Sequence, residues 1–333
     1  MNIFITGIAG FLGSNLAHHL SKNNHKIYGN DNFIGGYKDN LSADFKFYNI
    51  DCCDFNSMNK ALKNIDVVIH CAATAYEGLS VFSPSFVTKN IFEASVTTFS
   101  AAISNNVKKI IHCSSMARYG SQTYPFTEDM PTKPQDPYGI AKVASEKILQ
   151  NLSEIHDFDW TILVPHNIVG PRQKYDDPYR NVMSIFLNRM LLNKSAIIYG
   201  DGSQRRCFSY VDDCISCIEE TIYNNASSKQ VINIGPDEEF ISIKELADKC
   251  ANITNFNGNH IYYDDRPQEV KFATCSANKA RKILNYKTKY SLDKSIQLTY
   301  EYIKQRGPKQ FDYKINLEIN NRKTPKTWKM KII

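Results

Sequence analysis

Short, continuously apolar segments alternate with longer segments of helical spacing along most of the chain. Apolar runs of this kind are typical of strands that are buried on both faces of a sheet. Strands that alternate with helices predict an α/β fold, a doubly wound parallel sheet covered by helices on both faces. The predicted strands are 2–6, 26–31, 45–51, 66–72, 108–115, 160–165 and 231–235, and the predicted helices are 12–22, 57–63, 85–105, 138–156, 181–193 and 212–224.

The strand–helix alternation loosens in two places, at 172–206 and after residue 236. We expect these pieces to form a smaller lobe at the carboxyl ends of the strands, where doubly wound sheets bind ligands. The predicted organisation is a sheet domain over 1–171, completed by about 207–236, and a C-terminal substrate-binding lobe built from 172–206 and 237–333.

Composition narrows the class of protein. The formal net charge is +6, but Lys and Arg are spread along the chain, which favours a solvated surface over a nucleic-acid interface. The nine Cys lack the spacing of a zinc site or a disulfide framework, so we expect reduced thiols, no metal and a cytoplasmic protein.

A strand begins at the N-terminus and no run of about 18 apolar residues occurs, so neither a signal peptide nor a membrane span is expected. The basic segment 320–333 is expected either to pack on the body or to be a loose end.

A glycine-rich turn, ITGIAGFLGSN, joins the first predicted strand to the first helix. Gly7, Gly10 and Gly13 lack a Cβ, which permits a tight turn and lets the helix N-terminus face a pyrophosphate. Asp31 ends the second strand, where a carboxylate accepts hydrogen bonds from adenosine ribose hydroxyls and repels a 2′-phosphate. Asp51 ends the third strand, within reach of the adenine amino group. The pattern predicts a Rossmann-type site for NAD rather than NADP. The alternative is a turn role for Asp31 and a helix N-cap or turn role for Asp51.

Tyr138 and Lys142 in YGIAK lie four residues apart, on one face of a predicted helix. A phenol of pKa near 10 is a poor base at neutral pH, and we expect a neighbouring ammonium together with the positive nicotinamide ring to lower its pKa. Ser114 and Ser115 end the fifth strand, where a hydroxyl can share a substrate hydrogen bond with Tyr138. These neighbours favour a role of Tyr138 and Lys142 in proton transfer over a pair of surface residues on a helix.

The chain carries, in order, TGIAGFLGS, DN, HCAA, SSMARYG, PYGIAK, NIVGPRQ, GDGSQRRCFSYVDD and RPQE. Over roughly residues 1–300 this set resembles the extended short-chain dehydrogenase/reductase family, in its nucleotide-sugar epimerase and dehydratase branch. The resemblance implies that Ser115, Tyr138 and Lys142 are catalytic. The cofactor-binding residues that it implies are Gly7, Gly10, Phe11, Leu12, Gly13, Asp31, Asn32, Asp51, Cys52, Ala72, Ala73, Asn90, Ser114, Tyr138, Lys142 and Pro165. The substrate-binding residues that it implies are Ser115, Met116, Asn167, Arg206, Arg266 and Ala273.

Two of these positions, Arg206 and Arg266, match arginines that grip the substrate diphosphate in the family, in keeping with the fit of guanidinium to phosphate oxygens. Cys207 stands where the family usually has Asp, which leaves the orientation of Arg206 less constrained. Ala273 matches the position that gates sugar size in the 4-epimerases. An alanine in place of a large aromatic side chain predicts a pocket that admits an N-acetylated or otherwise larger sugar, or a uronic acid.

Ser115, Met116 and Ala117 stand where the 4,6-dehydratases of this branch carry Thr-Asp-Glu, so dehydratase activity is disfavoured. The resemblance instead implies NAD-dependent C4 epimerisation of a UDP-hexose, UDP-N-acetylhexosamine or UDP-uronic acid through a transient 4-keto intermediate. The alternatives are a nucleotide-sugar 4-dehydrogenase or ketoreductase and, of another class, a non-catalytic NAD-binding module. The resemblance also implies a homodimer, formed through the predicted helices 85–105 and 138–156, and a role in supplying polysaccharide precursors.

Overall fold

The computed structural model describes residues 1–333 and contains a seven-stranded parallel sheet. Its strands are β1 (Asn2–Thr6), β2 (Lys26–Asn30), β3 (Lys46–Tyr48), β4 (Val67–His70), β5 (Lys109–Cys113), β6 (Asp159–Pro165) and β11 (Gln230–Ile234). In space the strands follow the order β11-β6-β5-β4-β1-β2-β3, so the chain winds outward in both directions from the centre of the sheet. The predicted α/β class with a doubly wound parallel sheet is confirmed.

Helices cover both faces of this sheet because the strands are apolar on both sides. On one face, α1 (Phe11–Ser21) and α8 (Val211–Tyr223) pack against each other and bury Leu16 and Ile218 over the strands. On the other face, α2 (Phe55–Ala61) packs on α5 (Ala94–Ser104), which in turn contacts α6 (Pro137–Leu152).

The predicted helix 85–105 is confirmed, but its middle is not α-helical. It consists of α4 (Pro84–Thr88), a π-helical turn (Lys89–Glu93) and α5, in one unbroken path. A π-helical turn inserts an extra residue and changes the direction of the side chains around it, and such turns are frequent at functional sites. Asn90, one of the predicted cofactor residues, lies in this turn.

The second layer of the molecule is built from short strands and three helices. Strand β8 (Ile197–Tyr199) pairs with β13 (Ile261–Tyr263), β7 (Ile168–Val169) pairs with β10 (Ser209–Tyr210), and β9 (Arg205–Arg206) lies between β12 (Ile241–Ser242) and β14 (Phe272–Ala273). The helices α7 (Val182–Leu191), α9 (Ile243–Thr254) and α11 (Leu292–Arg306) share a separate apolar core. The remaining helices are α3 (Glu77–Ser80), α10 (Asn278–Leu284) and α12 (Lys326–Lys329). The predicted domain boundaries stay a prediction.

Residues 307–333 return across the molecule, so the basic end of the chain packs on the body. The Ile319 N–H donates to the Phe82 carbonyl at 2.8 Å. The Glu318 carboxylate accepts hydrogen bonds from the N–H groups of Ser85 and Phe86 at the start of α4, where a negative charge is favoured. Trp328 is buried against Phe82. No helix of the structure has both the length and the apolar character that a membrane crossing needs.

Candidate active site

One large cavity, with a volume of about 440 Å³, runs along the carboxyl edge of the main sheet and beneath the second layer. Its lining includes all of the predicted cofactor-binding residues and all but one of the predicted substrate-binding residues. The chain therefore brings the separate sequence motifs to one surface, as expected for ligands that bind at the carboxyl ends of parallel strands. Their roles in binding remain predictions.

The glycine turn between β1 and α1 is closed by short backbone contacts. Gly7 has φ +68°, a conformation that favours glycine, and its N–H donates to the Asn30 carbonyl at 2.8 Å. A Cβ on Gly13 would lie 2.3 Å from the Gly7 carbonyl oxygen. Gly10 immediately precedes the first residue of α1 and lines the cavity. The turn thus leaves a cradle at a helix N-terminus, and this cradle fits the pyrophosphate of NAD.

Asp31 directly follows β2 rather than ending it, and its carboxylate organises the same turn. It accepts hydrogen bonds from the Ala9 N–H at 3.0 Å and from the Phe33 N–H at 2.7 Å. Burial raises the pKa of Asp31, and these two N–H groups act in the opposite direction. A carboxylate can accept about four hydrogen bonds, so Asp31 retains acceptor capacity for ribose hydroxyls. Nearby, Asn32 donates to Asp51 at 3.0 Å, beyond the end of β3.

Lys142 projects from α6 toward the end of β5. Its ammonium donates a 2.7 Å hydrogen bond to the Cys113 carbonyl, and burial lowers the pKa of Lys142 to about 8. The N-terminus of α6 is fixed by Asp136, whose carboxylate accepts a hydrogen bond from the Gly139 N–H at 2.8 Å. This cap orients the first turn of α6, which carries Tyr138 into the same cavity.

Tyr138 is 7% exposed. Burial raises its pKa, and an interaction with the Ser115 side chain opposes that rise. The negative charges of Glu77 and Asp136 raise the pKa of Tyr138 further, whereas Arg180 lowers it. On balance, burial and these neighbouring charges raise the pKa of Tyr138. The lowering of the Tyr138 pKa that we expect from Lys142 together with the bound nicotinamide ring stays a prediction.

Ser114 and Asn90 line the cavity but use their side chains within the protein. The Ser114 hydroxyl donates to the Glu146 carboxylate, which forms a buried ion pair with Arg118 at 3.0 Å. The Asn90 amide donates to the Phe86 carbonyl at 2.8 Å, across the π-helical turn. Both side chains thus hold the wall of the cavity in place.

Arg206 and Arg266 lie together at the other end of the cavity. The Arg206 guanidinium donates to backbone carbonyls of Lys271 and Val270. Arg266 pairs with Glu269 at 2.6 Å and stacks over the Tyr199 ring at 4.8 Å. Both arginines are held by neighbouring groups with some donors left over, which suits a site that binds an anionic diphosphate.

Ala273 is the exception among the predicted residues, because its side chain does not line the cavity. It is 3% exposed and belongs to an apolar cluster with Tyr119, Phe126 and Cys275. The pairing of β14 with β9 places Ala273 beside Arg206, whose long side chain covers the distance to the cavity. Ala273 therefore does not line the cavity, and its role as a sugar gate stays a prediction.

The cavity also has walls that the sequence did not indicate. Sequence patterns miss them because Glu77 and Arg180 lie in short segments without periodicity, and Trp328 arrives from the far end of the chain. Arg180 stacks over the Tyr76 ring at 4.7 Å and pairs with Asp177. The one sequence feature near the wall that contains Trp328 is the basic segment 320–333, which includes this tryptophan.

Comparison with known proteins supports this arrangement. The model of the NAD dependent epimerase/dehydratase family matches residues 3–235. The chain is 32% identical to a putative UDP-glucose 4-epimerase from Methanocaldococcus jannaschii, over 91% of this chain and 98% of the relative. The structure of the Thermotoga maritima UDP-glucose 4-epimerase with UDP-glucose is similar, with a TM-score of 0.86 and 30% identity, covering 92% of this chain and 99% of that one. The Bacillus cereus UDP-glucuronic acid 4-epimerase, in complex with UDP-glucuronic acid and NAD, gives a TM-score of 0.84 and 29% identity, covering 92% and 100%. The chain belongs to the NAD dependent epimerase/dehydratase family.

Proposed function

We propose that this protein is a 4-epimerase of a UDP-sugar with NAD as its tightly held cofactor. The observation that carries the proposal is a single cavity with Ser115, Tyr138 and Lys142 at the edge of the sheet and Arg206 and Arg266 at its other end. Relatives of similar length and fold are UDP-sugar 4-epimerases by name. The arrangement suits a substrate that is anchored by its diphosphate while its sugar meets the phenol of Tyr138.

When bound, NAD supplies a nicotinamide ring that accepts a hydride from C4 of the sugar and later returns it. Tyr138 takes the proton of the 4-hydroxyl group as the C4–H bond breaks, so the alcohol becomes a ketone. Ser115 shares the hydrogen bond to that oxygen. Turning of the 4-keto sugar presents its opposite face, and Tyr138 gives the proton back as C4–H forms again. The sum of the two half-reactions is an inversion at C4 with no net oxidation.

The chain's own charges set the conditions for this proton transfer. Because burial raises the pKa of Tyr138, the phenol holds its proton until positive charge lies near it. Arg180, which also lines the cavity, supplies part of that charge. Lys142, fixed to the Cys113 carbonyl, positions its ammonium at the cofactor end. Positions 116 and 117, in the short helical turn after Ser115, hold Met116 and Ala117 and no carboxylate. The Asp and Glu that eliminate water in the dehydratases therefore have no counterpart there.

The nearest alternative, a 4-dehydrogenase or ketoreductase, would use the same residues and release a keto sugar. One experiment separates the two. The purified protein, with no cofactor added, is incubated with a panel of UDP- and GDP-sugars while absorbance at the NADH wavelength is followed and products are resolved by chromatography. A stereoisomer without accumulating NADH supports the epimerase, and stoichiometric NADH with a keto product supports the dehydrogenase. No reaction on any sugar would leave the non-catalytic NAD-binding module.

A homodimer is part of this proposal. The π-helical turn before α5 exposes Phe92, and α6 exposes Ile140, which is 54% accessible. Apolar side chains that project from two neighbouring helices favour an interface built from those helices. We also propose a cytoplasmic location, supported by nine free cysteine thiols, and a role in supplying sugar nucleotides for polysaccharide synthesis, supported by the family resemblance. Sedimentation of the purified protein tests the dimer directly.

A further inference from the structure

A carboxylate without a partner projects into the cavity between its two ends. It belongs to Glu77, the first residue of the short helix α3, which follows the loop after β4. Glu77 lines the cavity, and its carboxylate takes part in no hydrogen bond or ion pair within the chain. Every other carboxylate named in this cavity has a partner: Asp31 accepts from backbone N–H groups, Asp136 caps α6, and Glu269 pairs with Arg266.

The neighbours of Glu77 fix its place in the cavity. A Cβ on the adjacent Gly78 would lie 3.4 Å from the Arg266 guanidinium, so the start of α3 lies beside the proposed diphosphate site. The same helix packs on α6, which carries Asp136 as its cap and Tyr138 in its first turn. Glu77 therefore stands between the arginines and the phenol.

The pKa shifts of Glu77 and of its neighbours agree with this placement. Burial raises the pKa of Glu77, while the positive charges of Arg206 and Arg266 lower it. In turn, the charge of Glu77 raises the pKa of both Tyr138 and Asp136. The Glu77 carboxylate is thus within electrostatic reach of both ends of the substrate path.

A UDP-sugar with its diphosphate at Arg206 and Arg266 and its C4 at Tyr138 must place its sugar ring next to Glu77. A carboxylate accepts hydrogen bonds from hydroxyl or amide N–H groups, and it repels a second carboxylate at close range. We propose that Glu77 determines sugar specificity: it binds a hydroxyl or amide N–H of a neutral hexose or N-acetylhexosamine and rejects the UDP-uronic acids. This inference rests on the proposed function and narrows its substrate class.

The test compares kcat/KM for UDP-glucose, UDP-N-acetylglucosamine and UDP-glucuronic acid in the full-length holoenzyme and in Glu77→Gln. Glutamine keeps the size of the side chain and removes its charge. We expect the wild type to favour at least one neutral sugar by more than ~10-fold, and Glu77→Gln to raise the relative kcat/KM for UDP-glucuronic acid by ~10-fold or more. Glu154→Gln, which removes a charge at an exposed residue beyond α6, is the matched control. It should leave unchanged the ratio of kcat/KM for UDP-glucuronic acid to kcat/KM for the neutral sugars.

Two results would overturn the inference: a wild type that prefers UDP-glucuronic acid, or a Glu77→Gln variant whose ratio equals that of the wild type. Glu77→Ala provides a second variant if the first does not fold, and it should shift the ratio in the same direction. If no UDP-sugar is epimerised, the proposed function fails, and calorimetric binding of UDP-glucose and UDP-glucuronic acid still tests Glu77. If Glu77→Gln leaves the ratio of the Kd values for UDP-glucose and UDP-glucuronic acid unchanged, Glu77 does not determine sugar specificity.

Discussion

The Lys142 ammonium donates its hydrogen bond to the backbone carbonyl of Cys113 and thereby ties α6 to the end of β5. The lysine is buried, and burial lowers its pKa to about 8, so most of the amine is still protonated at pH 7. The link holds the helix that carries Tyr138 against the strand that leads into Ser115. It gives the lysine a positioning task that does not depend on contact with the phenol.

Replacing Lys142 by methionine removes the ammonium and keeps the length of the side chain. We expect kcat to fall by roughly 10²–10³-fold, because the cation at the cofactor end and the link to Cys113 are both lost. Steady-state kinetics on the substrate found in the product assay measure this loss. Lys147→Met, on an exposed position of the same helix, is the control and should leave kcat unchanged. Equal rates in wild type and Lys142→Met would show that the ammonium has no part in the reaction.

Replacing Tyr138 by phenylalanine separates chemistry from packing. The ring lies in an apolar cluster with Tyr76 and Ala141, and phenylalanine preserves those contacts. We expect kcat to fall by roughly 10²–10⁴-fold with a change in unfolding free energy below about 1 kcal/mol. Denaturant unfolding and NAD content, measured beside kcat, report the two effects. Tyr262→Phe, at a residue that is 45% exposed, should match the wild type in every readout. Substantial activity in Tyr138→Phe would transfer the proton-transfer role to another group.

Replacing Gly13 by alanine tests the cradle at the start of α1. The added Cβ would lie 2.3 Å from the Gly7 carbonyl oxygen, and backbone cannot move aside as a flexible side chain can. We expect a loss of about 1–3 kcal/mol in unfolding free energy and at least a tenfold loss in NAD affinity. Calorimetric titration with NAD checks the second effect. Normal NAD binding in this variant would mean that the turn does not hold the pyrophosphate.

The sequence predicted the main sheet well because its strands are apolar on both faces and its helices have a clear period. All seven strands and the glycine turn occur where they were expected. In the second layer the sequence indicated the helix α7 but none of the short strands, since strands of two or three residues such as β9 and β14 have no measurable alternation. Element ends also moved by a few residues: β3 stops at Tyr48, so that Asp51 follows the strand instead of closing it.

Within the site, the motifs predicted which residues meet but not how their charges act on one another. The pKa of Tyr138 depends on Glu77 and Asp136, which come from different elements, and no spacing in the sequence reports that proximity. The wall that contains Trp328 depends on a segment that crosses the molecule after α11. Long-range packing of this kind follows from the fold as a whole and has no local pattern.

Asp136 provides a prediction for pH. Burial, followed by the charge of Glu77, raises its pKa to about 7, whereas an unfolded chain leaves it near 3.8. Because the folded state then binds the proton more tightly, this residue stabilises the fold at low pH, and that stabilisation is lost as pH rises toward and through about 7. Asparagine also caps helices and carries no charge. We expect the unfolding free energy of Asp136→Asn, relative to the wild type, to increase by roughly 1–3 kcal/mol between pH 5 and 8.

Urea unfolding of both proteins across that pH range measures the difference. Asp157→Asn, at an exposed residue, is the control and should show no such trend. A difference between Asp136→Asn and wild type that stays constant with pH would show that the carboxyl keeps an ordinary pKa in the folded protein.

The burial of Ala273 leads to an expectation opposite to that of a sugar gate. Its methyl group packs in the cluster that contains Tyr119, Phe126 and Cys275, so a tyrosine ring at this position has no space to occupy. We expect Ala273→Tyr to lower the unfolding free energy by about 1–3 kcal/mol or more, because overpacking displaces the surrounding side chains. The ratio of kcat/KM for UDP-N-acetylglucosamine and UDP-glucose should stay within about twofold of the wild type in the fraction that folds. Ala226→Tyr, at an exposed residue, supplies the control for the added ring. A stable Ala273→Tyr variant that selectively loses the N-acetylated sugar would return this residue to the substrate pocket and show that the strand β14 shifts when the sugar binds.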